Sequence, residues 1–172
     1  MEKINIQEIF KKTISVDEYI AGIIQPFKEK FLERKQTYQL KEDVVSKLRE
    51  YAKDVVIVAF SAEWCKDCAA NIPILALIAE KTGINMRIFG GLKRDALNPK
   101  EKWKIPPSPP EVKIFKIEKI PHIILFARNG ESIGEIVENP RNKETLEEEI
   151  LYLIEKSNIL FPSPSNYAEE SS

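Results

Sequence analysis

Cys65 and Cys68 are the only cysteines in the chain, and Lys66 and Asp67 separate them. Two thiols at that spacing have two kinds of chemistry open to them. They can exchange with a disulfide, one sulfur attacking and the other closing the ring, or they can supply half of a tetrahedral metal site. The flanking residues favour the first. An unbroken apolar run, Val55-Val56-Ile57-Val58-Ala59-Phe60, precedes the pair. It is rich in β-branched residues and too short for an ordinary helix, which predicts a strand buried on both faces. The polar turn Ser61-Ala62-Glu63 and then Trp64 follow, and beyond the cysteines the composition is helical until Gly83 supplies a stop. A thiol in the first turn of a helix faces unpaired N–H groups and the positive end of the dipole, both of which favour thiolate. A cysteine three positions on lies one turn away on nearly the same face, within reach for a disulfide. Zinc would need two further ligands, and His122 is the only histidine, so a metal site would have to be shared between chains. No metal is expected.

The chain that must position these sulfurs has 172 residues, enough for one domain with an appendage and a substantial core. Charges of both signs balance to a formal net charge of -1, so no basic footprint points to nucleic acid. No apolar run approaches the length of a membrane span, and Met1-Glu2-Lys3-Ile4-Asn5 has no signal-peptide character. With the cysteines confined to one motif, this predicts a reducing, cytoplasmic setting and no membrane partner.

Residues 1–36 read as helical. Ser15-Val16-Asp17-Glu18 has the form of a capping box. Tyr19, Ile20, Ile23, Ile24, Phe27 and Phe31 recur at three- and four-residue spacing as one apolar stripe. Pro26 interrupts it and predicts two helices or a kink near Gln25. The stripe reads as an arm packed onto the domain, with a dimer or partner surface as the alternative. A helix over residues 41–53, carrying Val44, Val45, Leu48, Tyr51 and Ala52 inward, should lead into the strand before the cysteines. Met86 to Phe89 should be a second strand, parallel to the first through a right-handed crossover.

Asn98-Pro99 and Pro106-Pro107-Ser108-Pro109-Pro110 forbid long regular structure between residues 90 and 119. The proline cluster reads as a stiff surface loop rather than a polyproline ligand, with a helical turn over residues 111–116 entered from Pro110. Ile123-Ile124-Leu125-Phe126-Ala127 is a further buried strand. Asn129-Gly130 signals a hairpin turn, and residues 132–137 are the antiparallel partner. Residues 143–156 form a last helix, with Glu147, Glu148 and Glu149 on a solvated face. The end beyond residue 161 is too polar and proline-rich to be ordered.

This order of elements resembles the thioredoxin family, and so do three local stretches. Phe60-Ser61-Ala62-Glu63-Trp64-Cys65 is similar to the family's approach to its active site, Pro73 to the proline inside the same helix, and Phe115-Lys116-Ile117-Glu118-Lys119-Ile120-Pro121 to the segment ending in its cis-proline. The resemblance covers residues 41–157. The helical arm with W-C-x-D-C-x-x-N-x-P is similar to a subgroup of small thioredoxin-like proteins with helices before the core. What the resemblance implies is an α/β, thioredoxin-like fold, a central mixed sheet of about four strands flanked by helices. The N-terminal helical extension would span 1–40, the domain 41–160 and a disordered tail 161–172. No edge strand is evident before Val55, so the arm is expected to cover that vacancy.

For the site, the resemblance implies Cys65 as attacking and Cys68 as resolving cysteine, with Trp64, Ile120 and Pro121 lining a groove for an extended substrate segment. Three departures bear on this. Lys66-Asp67 replaces Gly-Pro; the lysine should favour a neighbouring thiolate and the carboxylate oppose it. Ala59 stands where many members carry a buried acid, leaving Asp67 or water to take its part. Glu138, in Val137-Glu138-Asn139, falls where the family has a small Gly-containing stretch beside the groove, which it would narrow or charge. His122, next to Pro121, should lie near the cysteines and influence Cys65. No G-x-G-x-x-G fingerprint is present, so no cofactor is expected, and electrons would come from a separate reductase or a small thiol. These expectations describe a cytoplasmic reductant of disulfide-bearing proteins serving redox homeostasis. The alternative is a redox-silent interaction module that kept the fold.

Overall fold

A computed structural model of the chain describes residues 3–94, 97, 103 and 108–162. The first helix, α1 (Ile6–Lys12), begins where the Asn5 side chain accepts the N–H groups of Gln7 and Glu8. Two extended residues, β1 (Ile14–Ser15), separate it from α2 (Val16–Ala21). Ser15 caps α2 as its spacing predicts: its hydroxyl accepts the Glu18 N–H at 3.1 Å and meets the Glu18 carboxylate at 3.2 Å. Gly22 closes α2, and α3 (Phe27–Thr37) starts directly after Pro26, so the stripe is divided into two helices. Next, α4 (Glu42–Arg49) buries Val44, Val45 and Leu48 and delivers the chain to β2 (Val55–Phe60), which is buried along its whole length. Then α5 (Lys66–Thr82) runs through Pro73 to a left-handed Gly83, and β3 (Asn85–Phe89) follows. A single turn, α6 (Glu111–Ile114), leaves Pro110, and β4 (His122–Ala127) and β5 (Ser132–Val137) make the hairpin. The last helix, α7 (Leu146–Glu155), is capped by the Thr145 hydroxyl.

The sheet has five strands in the order β1-β3-β2-β4-β5. Only β2 and β3 run parallel; the other pairings are antiparallel. Val58 of β2 lies opposite Arg87 on one side and Ile124 on the other, so the strand ahead of the cysteines is paired along both edges. The expected count of about four strands is therefore corrected to five, and the wholly helical reading of residues 1–36 with it. The vacant edge is filled by Ile14 and Ser15 opposite Ile88 and Arg87. A two-residue strand offers no alternation to read, and the helix signals on both sides mask it. Arg87 holds it in place. Its guanidinium donates to the carbonyls of Thr13 (2.6 Å) and Phe10 (3.2 Å) and to the Thr13 hydroxyl (3.0 Å), and lies over the Phe10 ring.

The helices before residue 40 share one core with the sheet. Ile9, Val16, Tyr19, Ile20, Ile23 and Phe31 join the cluster that contains β2 and α5, whereas Ile24 of the stripe is exposed. Helices α2, α3 and α4 all pack on α5, and α4 packs on α7. The expectation of a solvated face for Glu147, Glu148 and Glu149 holds only for the middle one, whose carboxylate pairs with Lys41 at 3.0 Å. Glu147 is fully buried, accepting the Tyr38 hydroxyl at 2.7 Å and the Lys41 N–H at 2.9 Å. Glu149 is buried too and collects the N–H groups of Arg141, Asn142 and Lys143. A carboxylate leaves water at tolerable cost only when donors replace its hydration, and both have them.

At the hairpin turn, Gly130 has φ 94°, and a Cβ there would fall 1.9 Å from the Ile4 carbonyl oxygen. The N-terminal segment passes so close that only glycine fits. Among the described residues, no helix is long and apolar enough to cross a membrane. Asn98-Pro99, Pro106-Pro107 and the tail from residue 163 onward lie outside the described residues.

Candidate active site

The turn after β2 and the first turn of the next helix place the two sulfurs. Cys65 is the N-cap of α5, and its Sγ accepts the Cys68 N–H at 3.3 Å, taking up one of the free amides at the helix mouth. On its other side the Cys65 thiol donates to the Ile120 carbonyl at 3.6 Å. The Ile120–Pro121 peptide is cis, and both residues are buried. Two stretches far apart in sequence thus meet at one sulfur. Both thiols are free; Cys65 is half-buried and Cys68 is fully buried. Trp64 is exposed and stacks on Trp103 with ring centroids 6.0 Å apart, while the Trp103 indole N–H donates to the Glu118 carbonyl at 3.1 Å.

The two sulfurs titrate in opposite directions. Cys65 is lowered to about 7, first by the hydrogen bond with the Cys68 side chain and then by the backbone N–H groups of Cys68 and Asp67. Partial burial and the Asp67 charge oppose that lowering. Hydrogen bonds lead it, and the carboxylate acts as its charge predicts. Cys68 is pushed well above the ordinary thiol range, chiefly by burial and next by the neighbouring Cys65 sulfur. A thiol with a lowered value is thiolate above that value and loses its reactivity below it. Alkylation of the reduced protein by iodoacetamide should therefore rise with pH, reach half its plateau near pH 7 and be flat by pH 9. A rate still climbing through pH 9, as for a free thiol, would contradict this.

Other predicted residues fall around this centre. The His122 ring pairs its Nε2 with the Glu135 carboxylate at 2.8 Å, so it is engaged by β5 and not by the sulfurs. Glu138 lies beside Pro121: its N–H donates to the Pro121 carbonyl at 2.8 Å, and its backbone is left-handed at φ 66°. That conformation costs a non-glycine residue about 1–3 kcal/mol, and it persists because bonds on both sides hold it. The second comes from Asn71, whose Nδ2 donates to the Glu138 carbonyl (3.0 Å), the Asp67 carbonyl (2.9 Å) and the Asn139 side-chain oxygen (3.0 Å). One buried amide thus clamps the cysteine helix to the loop flanking Pro121. Ala59 is buried in mid-strand; two residues on in sequence, the Ser61 hydroxyl and the Tyr19 hydroxyl lie 2.9 Å apart, and both residues are buried.

In the sequence Tyr19 stands out only as part of an apolar stripe, and Trp103 not at all. Their partners lie too far along the chain for spacing to show. Among the described residues no group of three or more His, Cys, Asp or Glu side chains is placed to hold a metal ion. A cleft of about 490 Å³ opens between α4 and α7, and no residue of the cysteine site lines it.

A buried central strand that ends at a dithiol helix mouth, with an Ile-Pro turn against the outer sulfur and a hairpin and helix closing the sheet, defines a thioredoxin-like α/β protein. A family model described as thioredoxin matches residues 13–151, and the chain belongs to the thioredoxin family. Members of that family are generally oxidoreductases. Among solved structures, a protein of unknown function from Pseudomonas aeruginosa is 14% identical, with 90% of this chain and 98% of that one covered and a TM-score of 0.67. An HIV epitope-scaffold is 13% identical over 90% and 99% of the two chains, again with a TM-score of 0.67. The reduced thioredoxin pre-protein of Schistosoma mansoni is 20% identical over 70% and 94%, with a TM-score of 0.40. At such identities the first two establish the fold. No curated protein matches the sequence.

Proposed function

We propose that the chain is a thiol–disulfide oxidoreductase that reduces protein disulfides through Cys65 and Cys68. The observation that carries this is the setting of the Cys65 sulfur, between the Cys68 N–H and the Ile120 carbonyl, at the half-exposed mouth of a helix. Cys65 thiolate attacks a substrate disulfide, one substrate sulfur leaves as a thiol and a mixed disulfide remains. Cys68 then attacks Cys65, forming the intramolecular disulfide and releasing the second substrate sulfur. The substrate gains two electrons and the dithiol loses them. Trp64, Ile120 and Pro121 line the groove, where pairing of an extended segment with the backbone at Ile120 tolerates varied substrate sequences. Electrons return from a separate reductase or a small thiol in a reducing, cytoplasmic compartment.

Insulin reduction tests this. With dithiothreitol or a thioredoxin reductase as donor, the chain should accelerate cleavage of the insulin disulfides. No acceleration with either donor, together with binding of a disulfide-bearing protein that survives loss of both cysteines, would replace this function with that of a redox-silent interaction module.

A further inference from the structure

Trp103, between β3 and α6, touches both parts of the chain that meet at the Cys65 sulfur. Its ring stacks on Trp64, the residue before Cys65, with centroids 6.0 Å apart. Its indole N–H donates at 3.1 Å to the carbonyl of Glu118, two residues before Ile120. We propose that Trp103 is a positioning residue for the substrate groove, tying the Trp64 wall to the segment from Glu118 to Pro121 and so favouring extended protein disulfides over small ones. This inference rests on the dithiol function above.

Three observations carry it. Trp103 is buried within the main hydrophobic core, whereas Trp64 is exposed, so one ring of the stack is fixed and the other faces solvent. An exposed indole by itself exchanges among rotamers, and stacking on a buried ring restricts it. The indole nitrogen of Trp103 has a single hydrogen and accepts nothing, so burial commits it to the Glu118 carbonyl. Finally, the contacts close a circuit. It runs from Cys65 to Trp64 along the chain, to Trp103 by the stack, to Glu118 by the hydrogen bond, and along the chain to Ile120. The Cys65 thiol, donating to the Ile120 carbonyl at 3.6 Å, completes it.

That last joint is lost during the reaction. As thiolate, or bonded to a substrate sulfur, Cys65 has no hydrogen to donate to Ile120. The groove must hold its shape at that moment, because the substrate segment then lies across Ile120. The joints at Trp103 contain neither sulfur nor a titratable group, so they persist through the cycle. Asn71 makes the corresponding link from α5 to the loop beside Pro121. A peptide segment in the groove meets these walls, whereas a small disulfide needs only the Cys65 sulfur.

Reaction of the reduced protein with insulin and with bis(2-hydroxyethyl) disulfide, followed by loss of free thiol, reads the selection as a ratio of two second-order rate constants. Trp103→Ala should lower the insulin-to-small-disulfide ratio about tenfold. Trp103→Phe fills most of the core site and keeps a ring against Trp64 but has no N–H for Glu118, so it should lower the ratio about threefold. Trp64→Ala should lower it as well, and the double variant Trp64→Ala with Trp103→Ala should lose less than the product of the two single losses, because the rings act together. A ratio at the wild-type value in both Trp103 variants would overturn the inference while leaving the dithiol function standing. So would equal slowing with both disulfides, which would make Trp103 a support of the fold alone. A wild-type protein that reacts with neither disulfide would overturn both.

Discussion

Replacing Cys65 with serine should lower catalysed disulfide reduction about a thousandfold or more, because a serine hydroxyl cannot become an anion near neutral pH and no other thiol is exposed to take its place. Cys68→Ser should fail differently. Its Cys65 can still attack, but nothing closes the ring, so a stable mixed disulfide should build up, one substrate per chain. The asymmetry follows from position. The outer sulfur sits half-buried at the helix mouth with its value lowered to about 7, whereas the inner one is sealed in the core with its thiolate disfavoured. Turnover assays with non-reducing electrophoresis of each variant read it directly. Adducts carried by Cys68 in the Cys65→Ser protein would mean that the roles are reversed.

Phe31→Ala should cost about 3–5 kcal/mol, the range for removing a fully buried aromatic side chain. Phe31 has no exposed surface, meets Tyr19 edge-on, and belongs to a helix that packs on α5. Against a usual total of about 5–15 kcal/mol, such a loss would bring the whole domain near its unfolding threshold. Ile24→Ala in the same N-terminal region should cost no more than about 0.5 kcal/mol, since Ile24 is exposed. Urea denaturation midpoints of the two variants check the contrast. An independent arm would melt by itself and leave the midpoint of the domain in place.

Much of this was legible in the sequence. The run from Val55 to Phe60 announced a buried strand by its β-branched residues, Gly83 marked the end of α5, and Asn129-Gly130 marked the hairpin. Local signals of that kind survive into the fold because they act over a few residues. The rest depended on partners that the local pattern does not name. Glu147 looked like one charge in a solvated row until the Tyr38 hydroxyl and the Lys41 N–H, over a hundred residues earlier, met it in the core. Periodicity placed Tyr19 on an inward face but was silent about its hydroxyl, which only Ser61 explains. His122 was rightly neighbour to Pro121 in sequence, yet hairpin pairing set Glu135 diagonally across from it, and the imidazole turned to that carboxylate. Ile14 and Ser15 were too few to show a strand period, and their place was decided by the open edge of β3 and the Arg87 side chain.

The most direct test is a redox titration of the purified chain in glutathione buffers of graded potential, read by intact mass with the thiols trapped. A single two-electron transition is expected, in which each chain loses two hydrogens, carries no glutathione and shows Cys65 joined to Cys68. A chain that instead accumulates glutathione on Cys65 while Cys68 stays a free thiol at every potential would contradict a working dithiol.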